Sequence, residues 1–279
     1  MYSPPKEIED AVKAYRSHIS EHNRRIVEVY VSLVADAEPE EGDFEDDEDI
    51  NELRIQALHH IFDMNLSTLV STPREILTRW DKLCDVYDLD GTGTAGKPSE
   101  VEVALREEWF SLVEKTLKKS CLEEVRESIR FPEEFRTLAK CVNCLTGPGL
   151  TELKSRYQAV FLVGGYTSSY AEEGAAKMVK TPEWLSKHVS GGWECAAGWD
   201  AGSGFRHSFY VVYCRRADQP DSAGSPEPWL WRYFSEDSMD FGVFDTIPEF
   251  LAWYSGYREP IVPVASSMTG YDVLMGRVF

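Results

Sequence analysis

The spacing of apolar residues changes once along this chain, and that change restricts the fold more than any other feature. Up to about residue 145 the apolar positions recur every three to four residues, and beyond Gly147-Pro148-Gly149 many of them alternate. A period near 3.6 marks helices with one buried face, and a period of 2 marks strands. Helices first and strands afterwards predict an α+β fold: N-terminal helices followed by a twisted, largely antiparallel sheet flanked by helices.

Residues 6–34 read as one long helix on which Ile8, Val12, Tyr15, Ile19, His22, Ile26, Val29 and Leu33 form a heptad stripe. Such a stripe docks on the rest of the chain or seams a coiled-coil dimer, so self-association through 6–34 is the alternative to docking. Ten acids and no base fall between Asp36 and Asp49. Like-charge repulsion with little to bury predicts a disordered acidic linker over 36–50. Residues 1–35 then read as a helical extension and 51–279 as the main α+β domain with a helical N-terminal part. Within that part, helices are expected at 51–70, from a Thr72-Pro73-Arg74-Glu75 capping box onward, from Ser99 to about Lys118, and from Pro132. Strands are expected at 159–163, 193–199, 209–213, 229–234 and 241–244, and short helices from Thr181-Pro182 and Thr246-Ile247-Pro248-Glu249.

The net charge is −19, of which about −9 remains outside the acidic stretch. That surface repels a nucleic-acid backbone and attracts a basic protein. No apolar run reaches the length of a membrane span. The first residues, Met1-Tyr2-Ser3-Pro4-Pro5-Lys6-Glu7, lack an apolar signal core, so the expected location is the cytoplasm, with the nucleus open. The six cysteines (Cys84, Cys121, Cys141, Cys144, Cys195, Cys214) read as buried thiols, because Cys141-x-x-Cys144 has no second pair to complete a zinc site.

One segment invites chemistry. In Asp88-Leu89-Asp90-Gly91-Thr92-Gly93-Thr94, Asp88, Asp90, Thr92 and Gly93 occupy the opening positions of a calcium loop, but Ser99 stands where the bidentate carboxylate belongs. The same residues spell the Asp-x-Asp-Gly-Thr of a Mg²⁺-dependent phosphatase, with Asp88 as nucleophile and Asp90 as acid/base. That chemistry needs the aspartates at the end of a buried strand, and the preceding residues have helical periodicity. A Gly-rich turn is the simplest reading. Gly-x-Ser-x-Gly, His-Glu-x-x-His and Walker-type loops are missing. His207 and Ser208, as strand neighbours, point to opposite faces.

Three segments in the second half together resemble the SUKH superfamily, the group of fungal Smi/Knr-type cell-wall assembly regulators and bacterial toxin-immunity proteins. They are Glu127-Ser128-Ile129-Arg130-Phe131-Pro132-Glu133-Glu134-Phe135-Arg136-Thr137-Leu138, Ala196-Ala197-Gly198-Trp199-Asp200-Ala201-Gly202 before Tyr210-Val211-Val212-Tyr213, and Phe244-Asp245-Thr246-Ile247-Pro248-Glu249-Phe250-Leu251. The family's Asn-Gly turn is displaced here, since Cys144 follows Asn143 and the glycine waits until Gly147. The resemblance spans about residues 100–258. It implies a single α+β domain that binds a protein without a cofactor or metal, in regulation or toxin neutralisation.

The function expected is therefore a non-enzymatic, SUKH-like binding module for a protein partner of basic character, with a phosphatase-like or calcium-binding role around Asp88 and Asp90 as the alternative. Candidate partner contacts are Trp193, Glu194, Trp199, Asp200, Trp229, Glu236, Asp237 and Asp240, since aromatics beside acids combine burial with charge selectivity. Ordinary core packing is the competing role for at least two of the three tryptophans.

Overall fold

A computed structural model describes residues 3–39, 49–93, 99–150, 160–161, 171–204, 207–216, 227–237 and 241–277. In chain order the described elements begin with α1 (Pro5–Val34), α2 (Ile50–Phe62), α3 (Glu75–Thr78), α4 (Trp80–Tyr87), α5 (Glu100–Ser120) and α6 (Glu133–Cys141). They continue with α7 (Ala171–Met178), β1 (Val179–Lys180), α8 (Pro182–His188), β2 (Trp193–Gly204), β3 (His207–Arg216), β4 (Leu230–Asp237), β5 (Phe241–Phe244), α9 (Ile247–Tyr254) and α10 (Gly270–Leu274). This is the α+β order that the change of period predicts. The chain divides into two compact units. A sheet unit comprises Met1–Ala14, Gly96–Thr146 and Tyr157–Tyr254; a helical unit comprises Tyr15–Ala95, Gly147–Arg156 and Ser255–Phe279.

In the helical unit, α1 supplies both apolar and polar grip. Ile26, Val27, Tyr30, Val31 and Val34 are buried in one cluster with Leu58, Ile61, Phe62, Trp80, Leu83 and Val273. The heptad reading puts Val29 and Leu33 inward; both are only half-buried, and Tyr30 and Val34 take their place. A straight helix turns every 3.6 residues, so its buried face drifts by about 20° per heptad away from a 3.5 repeat. Most of the stripe is thus buried within the chain, as the docking reading expects. Its polar residues hold two irregular turns. The Tyr15 hydroxyl donates to the Gly91 carbonyl at 3.1 Å and accepts from the Gly147 N–H at 3.0 Å. The fully buried Asn23 amide donates to the Leu89 carbonyl at 2.8 Å and accepts from the Gly149 N–H at 2.9 Å. Gly91 has φ +80°, and a Cβ there would lie 2.6 Å from Ile19 Cδ1, so both backbone and space require glycine.

Two helix boundaries differ from expectation. The 51–70 helix stops at Phe62, because Asp63 adopts a left-handed φ of 52° and only a short 3-10 turn, Leu66–Thr68, follows. The Thr72–Glu75 capping box does not form. The Glu75 carboxylate accepts from the Ser71 N–H at 3.1 Å instead, and α3 ends after Thr78 before α4 begins.

The sheet unit is built on an antiparallel sheet of order β1-β2-β3-β4-β5, in which each strand pairs with its sequence neighbour. One face carries Trp199, Val211, Tyr213, Trp231 and Tyr233, and packs on the rings of Phe131, Phe135, Phe161 and Phe250. The other face carries Cys195, Tyr210, Val212, Cys214 and Phe234, covered by Leu185 and Val189 from α8 and its end. Gly198 lets β2 and β3 meet: a Cβ there would sit 2.5 Å from the Val211 carbonyl oxygen. The capping box at Ser99 and Glu102 opens α5 as expected. Buried Arg106 on α5 donates to the Ala139 and Val142 carbonyls and to the Asn143 side chain, satisfying the orphan acceptors where α6 ends. The strand expected at 159–163 is not found in its two described residues. Val160 makes an isolated bridge with Leu145, and Phe161 turns left-handed at φ 52°. All six cysteines are free thiols, and burial pushes Cys84 and Cys195 up to about 11.

Candidate functional site

The segment of α6 that begins at Pro132 sets up the site. Pro132 precedes the first turn, so its missing N–H costs nothing there, and Glu133 and Glu134 fall where the helix N-terminus favours negative charge. Glu133 faces solvent. Glu134 turns inward and is 4% exposed. Its carboxylate accepts from the Ser3 N–H at 2.5 Å, the Ile247 N–H at 2.8 Å and the Tyr233 hydroxyl at 3.3 Å. Among the described residues no cation bonds it, and three neutral donors supply its compensation.

Above Glu134 lies a groove of about 270 Å³, lined by Pro132, Glu133, Glu134, Tyr213, Trp229, Leu230, Trp231, Tyr233 and Asp245. Strand alternation explains its walls, because Trp229, Trp231 and Tyr233 share one face. The rings are pinned. Trp231 Nε1 donates to the Arg130 carbonyl at 3.0 Å, its ring lies 5.1 Å from Tyr213, and Trp229 stacks at 6.2 Å from Tyr213. Three carboxylates and no cation line the groove. The nearby cations are already engaged: Arg232 with Asp245 at 2.7 Å and with Glu227 at 2.5 Å, Arg215 with Glu194 at 2.7 Å, Arg136 with Glu107. A wider, open depression of about 690 Å³ over Ser111, Glu114, Lys115, Lys118, Lys119 and Arg126 lacks aromatic walls, and two of its bases are paired with Glu114 and Glu123. The aromatic groove is half-open and combines an apolar lining with a few convergent polar groups.

The candidate contacts do not gather in one place. Trp199 is 1% exposed and stacks on Phe131 at 5.2 Å in the core. Trp193, Asp200 and Glu236 lie on the α8 face of the sheet. There Trp193 packs 5.5 Å from Phe234 with the Arg216 and Arg232 guanidinium groups 4.1 and 4.6 Å from its ring. Asp200 accepts from the Gly202 N–H at 3.0 Å, and Glu236 accepts from the Ser190 hydroxyl at 2.8 Å. Burial, with Asp200 and Glu236 nearby, pushes the Tyr210 hydroxyl above its usual pKa. Trp229 and Glu194 belong to the opposite face. Arg215 links them, bonded to Glu194 and 4.1 Å from the Trp229 ring, and the Glu194 bond raises its pKa. Asp237 pairs with His207 along β3–β4, and Asp240 lies outside the described residues. Of the eight, only Trp229 lines the groove. The lining residues that sequence reasoning passed over are Pro132, Glu133, Glu134, Tyr213, Leu230, Trp231, Tyr233 and Asp245. The alternation Trp229-x-Trp231-x-Tyr233 beside Pro132-Glu133 was the available signal.

Asp88–Gly93, the described part of the Asp88–Thr94 segment, belongs to the helical unit and forms a turn. Asp88 follows α4 with a left-handed φ of 55°, so it ends a helix where a phosphatase nucleophile needs a strand. Both oxygens of Asp90 are engaged: one takes Arg16 Nε at 2.8 Å and Nη2 at 2.6 Å, the other takes the Thr92 N–H at 3.1 Å and hydroxyl at 2.6 Å. Among the described residues no cluster of three or more His, Cys, Asp or Glu side chains is placed to hold a metal, and no helix is long and apolar enough to cross a membrane. The hydrogen bond between His207 on β3 and Ser235 on β4 is buried on both sides. Comparison of the chain with protein-family models, with curated proteins and with solved structures finds no match.

Proposed function

We propose that this protein is a non-enzymatic binding module of SUKH-like design, which holds a protein partner in the aromatic groove between the start of α6 and β4. The observation that carries the reading is the groove itself: aromatic walls and three carboxylates, with no cation among its lining residues. Half-buried, pinned aromatic rings supply anchor area at small entropic cost, and carboxylates at the rim select a basic partner and speed its approach.

The convergence of the three family-like segments supports the SUKH-like part. Phe131 and Phe135 of the first lie 5.2 and 5.5 Å from Trp199 of the second, and Glu134 of the first accepts from Ile247 of the third. Segments far apart in sequence thus meet around one carboxylate. A regulator and an immunity protein would both use such a module.

Affinity capture with the full tagged chain from its own cell lysate, at low and moderate salt, tests the reading. A stoichiometric protein is expected, released as salt rises and lost with Trp229→Ser at unchanged melting temperature. Recovery of the bait alone at both salts would remove the binding function. Undiminished capture by the Trp229→Ser chain would remove the groove from it.

A further inference from the structure

The groove borders an incomplete strand edge. Leu230, Trp231 and Arg232 pair with Cys214, Tyr213 and Val212 of β3 on one side. On the other side β5 pairs only with Tyr233 to Glu236, through Phe244 to Phe241, and then the chain turns at Asp245 towards α9. Among the described residues, therefore, the first three residues of β4 have a neighbour strand on one edge only. Proteins blunt open edges with lysines, prolines or bulges, and β4 begins Leu230-Trp231-Arg232 with none of these. Arg232 does not shield the edge, because its guanidinium is 5% exposed and is held by Asp245 and Glu227.

We propose that this edge receives an extended, lysine- or arginine-bearing segment of another protein, added as a strand in line with β5. The proposal rests on the binding reading above and specifies its occupant. Strand addition gives affinity through main-chain hydrogen bonds and specificity through pockets for alternate side chains. The groove of about 270 Å³ is below the roughly 300–1,000 Å³ usual for a small-molecule site. It suits an apolar side chain of the incoming strand, resting on Trp229 and Trp231. The charge of the occupant follows from the rim. The Glu133 and Asp245 side chains are 57% and 55% exposed although Arg136 lies 3.8 Å from the first and Arg232 2.7 Å from the second; the three lining carboxylates outnumber these two neighbouring cations, and the whole chain carries −19.

The test uses the full chain and a synthetic acetylated, amidated octapeptide of alternating valine and arginine. Two control peptides replace arginine by glutamate, or carry N-methyl groups on alternate backbone nitrogens. Amide chemical shifts of the isotopically labelled protein report where each binds. Saturable binding of the arginine peptide is expected, with shifts concentrated at residues 229–232 and 245. The N-methylated peptide should bind about tenfold or more weakly, and the arginine peptide should bind more weakly to a Glu133→Gln chain of unchanged melting temperature. Equal affinity for the N-methylated peptide would overturn strand addition. Equal affinity for the glutamate peptide would overturn the basic occupant. Shifts elsewhere, or no saturable binding of the arginine peptide, would overturn the proposal whole. Lysate capture that succeeds while the arginine peptide fails would remove this inference and leave the binding reading standing.

Discussion

The two units of this protein solve the burial of polar backbone in opposite ways. In the sheet unit, Phe131, Phe135, Phe161, Trp199, Tyr233 and Phe250 form one connected network of rings, with centroids 4.6 to 5.8 Å apart where they touch. Regular strands satisfy much of its backbone, and two buried charged side chains, Glu134 and Arg106, bond backbone groups at the start of α9 and the end of α6. In the helical unit the core is mostly aliphatic, with Tyr15, Tyr30, Phe62 and Trp80 among its buried rings, and the irregular turns at 88–92 and 147–149 take hydrogen bonds from side chains on α1. The lesson is where each unit is vulnerable. A sheet with a ring core tolerates the loss of any one packing contact better than the loss of the carboxylate on which three distant segments end. A helical unit with irregular turns depends on the helix that pins them.

The largest effect is expected at Glu134. Replacing it by alanine leaves the Ser3 and Ile247 N–H groups buried without an acceptor and removes the Tyr233 contact, which costs about 3–5 kcal/mol. Glu134→Gln keeps one acceptor and should cost clearly less. Amide hydrogen exchange should show the loss in the sheet unit and much smaller changes in Tyr15–Ala95. An equal loss of protection in both units would break the comparison, because the units would then unfold as one.

The corresponding substitution in the helical unit is Asn23→Ala. It strands the Leu89 carbonyl and the Gly149 N–H, for a cost of about 2–3 kcal/mol read by chemical denaturation. Gly91→Ala should cost less, about 1–2 kcal/mol, from left-handed backbone strain. Ile19 Cδ1 can yield part of the space a Cβ requires. If Gly91→Ala proved the worse of the two, backbone strain and not hydrogen bonding would be what holds the 88–92 turn.

The same contrast explains what was legible in the sequence. Period alone marks β2, β3, β4 and β5 and the buried rings between them, because alternation and burial are coupled residue by residue. The helices at Ser99 and Pro132 were legible from their caps. The helical unit was harder, since Asp63 ends α2 early through a backbone conformation that no apolar pattern encodes. The drift of the α1 stripe from Val29 to Tyr30 follows from helix geometry, and a 3.5 repeat hides it. The groove was only partly legible. Trp229 stood out beside acids, but Trp193 and Trp199 look the same in sequence and point to different faces, one of them into the core. The separation arises at the β2 irregularity between Cys195 and Ala197, where the register with β3 shifts. A residue inserted into a strand changes which face every later side chain takes, and composition carries no sign of it.

The smallest expected effect sharpens the account of α1. His22 is 3% exposed, with Nδ1 2.9 Å from a Glu259 carboxylate oxygen and Nε2 buried without a hydrogen-bond partner. Burial lowers its pKa below the ordinary 6.5 and outweighs the opposing influence of Glu259 and of the Pro260 backbone, while Arg25 and His18 add to the lowering. The folded chain therefore holds His22 neutral at a pH where the unfolded chain protonates it. Stability is expected to rise with pH up to about 6.5, the unfolded value, and to fall as pH drops below it until the folded value is reached. Denaturant unfolding of the full chain between about pH 5 and 8, compared with a His22→Gln chain, isolates this contribution as the slope that the substitution flattens. A wild-type chain that gained stability on acidification through His22 would mean that the ion pair with Glu259 outweighs burial. The polar row of α1 would then hold a second charge pair beside Arg16–Asp90, this one to the half-buried Glu259.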